Sequence, residues 1–241
     1  MSSTMGIIGL GWLGKALKIK FDSQFLIWGT HRVSDKLSTK DYSFDFFAPK
    51  PLPSADIVIL NTPPLLRLSP KDYVSIVKNF KTKHLVFISS TSVFGTNQGL
   101  VTEETTPQPD TESGQWLVEV ENELRSFSVS IIRPGGLIGG SRHPIYFLAG
   151  KTLEFSSSPV NLIHREDLMN IISLSLEKKT CLLHAISPYH PSREEYYLSW
   201  AKKLGLSLPL PIVKEPKSKE VRSLYLDELY AHWICKNLDW L

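Results

Sequence analysis

Two short apolar runs, Met5–Ile8 and Phe25–Trp28, flank the turn Gly9-Leu10-Gly11-Trp12-Leu13-Gly14 and a stretch of helical character, Lys15–Lys20. The order is strand, glycine turn, helix, strand, and the glycines keep the spacing G-x-G-x-x-G. Each glycine in that spacing has a mechanical reason. Gly9 permits a tight turn off the first strand. Gly11 has no side chain, so a pyrophosphate can come close to the backbone. Gly14 lets the helix pack closely on the sheet, and the N–H groups that open the helix then face the phosphates. Between a strand and a helix the motif points to dinucleotide binding, with Gly9, Gly11, Trp12, Leu13 and Gly14 as the candidate cradle.

The residues after the second strand refine this. They read Gly29-Thr30-His31-Arg32. An acidic residue there would accept from the ribose 2'-hydroxyl of NAD. Thr30 and Arg32 suit a 2'-phosphate instead, so NADP(H) is preferred and NAD(H) remains possible. Asp35 stands near the usual acidic offset but falls beyond the strand, in a polar loop. Tyr42–Phe47 alternates polar and aromatic and predicts a third strand, with Asp45 and Phe46 near its end. Pro49, Pro51 and Pro53 then exclude a regular helix interior. Ala55–Leu60 is a nearly continuous apolar run, as in a strand buried on both faces. It stops at Asn61-Thr62-Pro63, a loop at a strand's C-terminal end, where ligands bind in open α/β sheets. Tyr73, Ile76, Val77 and Phe80 recur at helical spacing and read as core. His84–Ile88 predicts a fifth strand, which runs into the hydroxyl-rich turn Ser89-Ser90-Thr91-Ser92.

Composition removes other classes. The apolar fraction of 42 % supports a sizeable core, and a net charge of +3 with scattered Lys and Arg leaves no footprint for nucleic acid. Lys214–Lys219 holds the one short basic cluster. No apolar run approaches the ~20 residues of a membrane span. The polar start, Ser2-Ser3-Thr4, argues against a signal peptide. Cys181 and Cys235 lack metal spacing and read as packed thiols of a cytoplasmic protein.

Taken together, Gly9–Gly14 and Ile88-Ser89-Ser90-Thr91-Ser92-Val93-Phe94-Gly95 resemble the extended and atypical short-chain dehydrogenase/reductase superfamily, in its NAD(P)-dependent epimerase/dehydratase group. Glu103–Pro109, Ser130–Gly139, Pro159–Leu168 and His184–Tyr197 resemble further segments of that family, from residue 5 to about 205. The resemblance implies a Rossmann α/β fold: a doubly wound parallel sheet with a small C-terminal α/β lobe. Residues 1–140 would form the NAD(P)-binding domain and 141–241 the substrate lobe, with about 159–186 returning to the Rossmann core. It also implies that Asp45 and Phe46 flank the adenine and that Asn61, Thr62 and Pro63 line the path to the nicotinamide. Ser89, Arg133 and Pro134 would continue the cofactor wall. Ser90 would be the catalytic hydroxyl, and Ser92, His143 and Tyr146 would face a small-molecule substrate. A monomer or a homodimer fits the family.

The chain departs from the family at the catalytic pair. A Tyr-x-x-x-Lys should open the helix that holds Val118 and Leu124, and counting back puts Ser113 and Leu117 there. Leucine cannot depress a pKa, and serine without a base is a poor proton donor near neutral pH. Glu119 and Glu121 read as surface charges and His164 as a packed histidine. Leu208–Ile212 and Pro216 read as extended linker, and Trp240-Leu241 as a docked end. The reading is an NAD(P)-dependent oxidoreductase or epimerase-like protein without the usual pair. A non-catalytic NADP(H)-binding sensor is the alternative. A β-hydroxyacid dehydrogenase is the third, because Ile8–Gly11 also resembles that family's opening.

Overall fold

The structure is a computed structural model that describes residues 3–32, 40–178, 180–212, 214–215 and 217–240. Asp35, Pro216 and Leu241 therefore lie outside the described residues. In chain order the elements begin β1 (Thr4–Ile8), α1 (Trp12–Phe21), β2 (Leu26–His31), β3 (Asp41–Ser43), β4 (Ala55–Leu60), α2 (Pro70–Val77) and β5 (Thr82–Ile88). There follow β6 (Leu100–Val101), α3 (Glu112–Leu124), β7 (Val129–Pro134), β8 (Gly136–Ile138), α4 (Ile145–Leu148), β9 (Thr152–Glu154) and β10 (Leu162–His164). The chain closes with α5 (Arg165–Lys178), β11 (Leu182–Ala185), α6 (Arg193–Lys203), β12 (Leu210–Ile212), β13 (Glu220–Val221) and α7 (Leu226–Leu229).

One seven-stranded sheet has the order β11-β7-β5-β4-β1-β2-β3, and its pairings from β3 to β7 are all parallel. This is the doubly wound Rossmann pattern, reversing direction beside β1. The chain forms two compact units. One comprises residues 1–93, 111–133 and 175–183; the other comprises 94–110, 134–174 and 184–241.

In the first unit the elements follow from local chemistry. Ser69 caps α2 by accepting from the Asp72 N–H, and Pro70 occupies the first turn, where its missing N–H costs nothing. Thr111 caps α3 in the same way through the Gly114 N–H. Met5, Ile7 and Ile8 of β1 and Val58, Ile59 and Leu60 of β4 are buried, with Leu17 and Phe21 of α1 in the same core. The strand expected over Tyr42–Phe47 is shorter. It ends at Ser43, because Phe44, Phe46, Tyr73 and Phe80 gather into an aromatic cluster that takes the chain off the sheet edge. Cys181 is exposed rather than packed, whereas Cys235 is buried. No described helix is long and apolar enough to cross a membrane.

Among its described residues the second unit holds three parallel strand pairs, β8 with β10, β9 with β12 and β6 with β13. The stretch expected to be linker thus contributes a strand, since Leu210–Ile212 pairs with Thr152–Glu154. Its helix α6 opens on a capping box between Ser192 and Glu195 and is followed by Gly205 at φ +63°. Ile138, Ile145, Leu153, Tyr196, Trp200 and Leu238 form its core, with Trp240 packed against it. Asp167 anchors the chain's end: its carboxylate accepts from the Tyr230 hydroxyl at 2.7 Å and from the Ile234 and Cys235 N–H groups at 2.7 and 3.0 Å.

His143, expected to face substrate, lies inside that core with 2 % of its surface exposed. Its Nδ1 accepts from the Ile145 N–H at 3.0 Å, so Nε2 carries the proton that bonds the Tyr196 hydroxyl at 2.9 Å. Its ring lies 4.5 Å from that of Trp200. Burial pushes its pKa from the ordinary 6.5 down to about 4. Between these values the unfolded chain binds a proton that the folded chain refuses, so stability is full above about pH 6.5 and is lost as pH falls toward 4. His143→Gln should flatten the pH dependence of urea unfolding in that window. An unchanged slope would assign the acid sensitivity to His164 and His190, which burial also lowers.

Candidate functional site

Three strand ends meet at Gly9. Its N–H donates to Thr30 Oγ1 at 3.0 Å, the Leu10 N–H donates to the Thr30 carbonyl at 2.8 Å, and Asn61 Nδ2 donates to the Gly9 carbonyl at 3.0 Å. Gly9 has φ +100°, and a Cβ there would stand 2.3 Å from the Asn61 carbonyl oxygen. A Cβ at Gly14 would stand 2.2 Å from the Gly9 carbonyl oxygen. Both glycines are therefore demanded by the fold. Gly11 is different. Its φ of −76° and ψ of −157° suit any residue, and a Cβ there meets nothing within 4 Å. Its bareness keeps open a cradle at the N-terminus of α1, where no side chain caps the helix. That vacancy fits the phosphates of a dinucleotide.

A cavity of about 270 Å³ adjoins this cradle. It brings together the predicted Gly9, Gly11, Thr30, Arg32, Asp45, Phe46, Asn61, Thr62 and Pro63. Their parts differ. Thr30 is 2 % exposed and holds the glycine turn with its hydroxyl, as Asn61 does with its amide. Asp45 caps its own turn by accepting from the Phe47 N–H at 3.0 Å. Phe46 stacks on Tyr73 at 4.5 Å, and Thr62 Oγ1 lies 3.3 Å from the Tyr73 hydroxyl. Arg32 is exposed at the cavity's edge. The sequence reading missed His31, Phe44, Phe47 and Leu65 on this wall. His31 was findable, because it ends β2 beside Arg32. Phe44 was not, since its placement depends on the aromatic cluster, and Phe47 lies outside that cluster, under the Arg67 guanidinium.

Other predicted residues are not on this wall. Leu13 is buried in the core and Trp12 is half-buried at the start of α1. Ser90 and Ser92 are half-buried, and the Ser90 hydroxyl accepts from the Ser92 N–H at 3.1 Å. In the second unit Pro134 is buried and Tyr146 is 51 % exposed.

Ser89 and Arg133 require correction as cofactor contacts. Both turn inward onto Glu121, which is itself buried and not the surface charge expected. Ser89 Oγ donates to Glu121 Oε1 at 2.5 Å, and Arg133 Nη2 donates to Oε2 at 2.5 Å, with Nε within 3.2 Å of both oxygens. Arg133 and Glu121 are each 1 % exposed. The carboxylate satisfies a guanidinium that could not be buried alone. Ser113, Leu117 and Glu121 share one face of α3 by their spacing of four. The position expected to hold the family's lysine is thus a packed leucine, 2 % exposed. Glu121→Ala should cost about 3–5 kcal/mol in denaturant unfolding, because it strands a buried charge. Ser89→Ala should cost only about 1–3 kcal/mol. Equal and small losses would show the ion pair to be solvated.

No family model matches this chain. Protein YeeZ of Escherichia coli K12 is 33 % identical over 234 residues, covering 85 % of each chain. Among solved structures, UDP-N-acetylglucosamine 4-epimerase from Methanobrevibacter ruminantium superposes with a TM-score of 0.78 at 13 % identity, over 95 % of this chain and 92 % of that one. MoeE5, solved with UDP-glucose and NAD, gives 0.73 at 16 % identity, over 94 % and 92 %. The structures share the fold, and the sequence match to YeeZ adds kinship. By this relationship the chain belongs to the family of Protein YeeZ, and it shares the doubly wound fold of the solved epimerase structures.

Proposed function

We propose that the protein binds a nicotinamide dinucleotide in the Gly11 cradle, prefers NADP(H) to NAD(H), and acts as an oxidoreductase or epimerase-like enzyme. The open space over Gly11 carries the reading. The glycine serves no packing need, so its use is the approach of a ligand. The bound nicotinamide would supply hydride transfer at a carbon bearing oxygen. The chain's own work is to hold and orient. Gly9 and Gly11 offer bare backbone, and the α1 terminus offers positive potential to phosphate. His31 and Arg32 stand where an acid would select a 2'-hydroxyl, which favours a 2'-phosphate. Phe44 and Phe46 give the cavity an apolar wall. Ser90 is the hydroxyl assigned to polarise the substrate oxygen.

A specific observation favours the second reading, a cofactor-binding sensor. Leu117 is packed where the family's lysine belongs, and the nearby Glu121 is already committed to Arg133 and Ser89. The architecture of the second unit argues against a β-hydroxyacid dehydrogenase. That family requires a long, mostly helical second domain, and the second unit here carries three strand pairs.

Calorimetric titration with NADPH, NADP, NADH and NAD tests the binding. NADPH should bind most tightly. Arg32→Gln should weaken it about tenfold, or about 1.4 kcal/mol, with little effect on NADH. Gly11→Asp should abolish binding without lowering the melting temperature. Failure of all four nucleotides to bind sinks the proposal. If NADPH binds, its oxidation across a panel of carbonyl compounds separates enzyme from sensor.

A further inference from the structure

The cavity beside Gly11 has a rim that its cradle does not explain. Phe47 lies on the wall with 49 % of its surface exposed, and the Arg67 guanidinium stands over its ring, 5.6 Å from the centroid. Arg67 is exposed, and among the described residues it makes no ion pair or hydrogen bond. The fold therefore makes no use of its charge.

Both residues are placed by anchored loops. Asp45 opens the first, accepting at Oδ1 from the Phe47 N–H at 3.0 Å and at its carbonyl from the Ala48 N–H at 3.1 Å. Phe46 is buried against Tyr73, so its neighbour Phe47 is turned outward. Arg67 belongs to the second loop, the segment after β4, which is fixed at both ends. At its start Asn61 Nδ2 donates to the Gly9 carbonyl. At its end the Leu68 N–H donates to the Leu65 carbonyl at 2.7 Å, and the Leu68 carbonyl accepts from Trp116 Nε1 at 2.8 Å. Pro63 and Pro64 stiffen the stretch between. Ring and guanidinium are thus brought together by loops from opposite sides of β1.

The sheet decides which part of a ligand would meet this rim. From Gly11 the wall runs toward β3, through Thr30, His31 and Arg32 and on to Phe44 and Phe47. In a Rossmann unit the ribose at the end of the second strand belongs to the adenosine half of the dinucleotide. Its base is flat, aromatic and uncharged. A guanidinium is planar and weakly hydrated and stacks on π-faces, so one already resting on a ring can close on a second. An ammonium is a compact, strongly hydrated charge and lacks the plane.

We propose that Arg67 and Phe47 form a clasp at the mouth of this cavity that holds the adenine base by stacking. The inference rests on the reading that the cavity takes a dinucleotide, and adds to it a positioning residue from the loop after β4. The two arginines then have separate tasks. Arg67 holds the base, which NADPH, NADH and ADP share. Arg32 meets the 2'-phosphate, which only NADPH of the three carries.

The test is calorimetric titration of the full chain with NADPH, NADH and ADP. Arg67→Ala should weaken all three by about tenfold. The melting temperature of the free protein should not change, because the side chain is exposed. Arg67→Lys should lose as much as Arg67→Ala, since it keeps the charge and not the plane. Phe47→Ala should reproduce the pattern, so that loss of fold in one variant leaves the other to decide. Unchanged affinities in the Arg67 variants overturn the clasp and leave the dinucleotide reading standing. A loss confined to NADPH also overturns it, by placing Arg67 on the 2'-phosphate. So does full recovery in Arg67→Lys, which would make the residue a point charge for phosphate. If ADP binds with this pattern and neither dinucleotide binds, the dinucleotide reading falls and the clasp stands. Absence of binding by all three nucleotides ends both.

Discussion

The rest of the first unit depends on how closely the backbone of Gly9 approaches its neighbours. At this residue the ends of β1, β2 and β4 are tied together, through Thr30 on one side and Asn61 on the other. The hydrogen bonds are each worth only about 1 kcal/mol net. The steric condition is stronger. With the Asn61 carbonyl oxygen 2.3 Å from any Cβ at Gly9, and the Gly9 carbonyl 2.2 Å from any Cβ at Gly14, no side chain can enter without moving main chain. Helix α1 is thereby drawn down onto the strand ends, and its uncapped terminus is aimed over Gly11. The open cradle is a consequence of two filled positions on either side of it.

A second constraint lies behind the sheet. Burying an arginine demands a partner, and Arg133 obtains one only because Glu121 reaches it from α3. Ser89, at the end of β5, joins the same carboxylate. Strand β7, strand β5 and helix α3 are thus fastened through one ionised cluster. This explains why residues that resemble a cofactor wall in sequence serve instead as internal fastening. It also leaves no charge at Leu117, where the family's chemistry would need one. Fold kinship by itself therefore does not supply the catalytic step.

In the second unit the chain's last fifth supplies more than closure. Asp167 holds the stretch from Tyr230 to Cys235, and Asn161 and Ser158 hold the stretch from Lys217 to Val221. The aromatic core of Tyr196, Trp200 and Trp240 takes in His143 and keeps it neutral. A histidine inside such a cluster contributes packing and acid sensitivity rather than proton transfer.

Local pattern alone determined a good deal. The glycine spacing, the apolar runs at β1, β4 and β5 and the caps at Ser69, Thr111 and Ser192 each involve residues within a few positions of one another. Backbone sterics, hydrophobic pattern and local hydrogen bonds therefore bias them before any tertiary contact forms. The gathering of Gly9, Gly11, Asn61, Thr62 and Pro63 around one cavity was legible for that reason, because the backbone places strand ends and glycine turns. What only the tertiary structure decided involves partners far apart in sequence. Glu121 is a surface charge by helical pattern until Arg133 and Ser89 arrive beside it. His143 is a pocket residue by position until Trp200 and Tyr196 close over it. The basic run at Lys217 and Lys219 is a solvated loop until Asn161 and Ser158 turn it onto a cavity. Side-chain burial and charge pairing depend on neighbours that no local window of sequence contains.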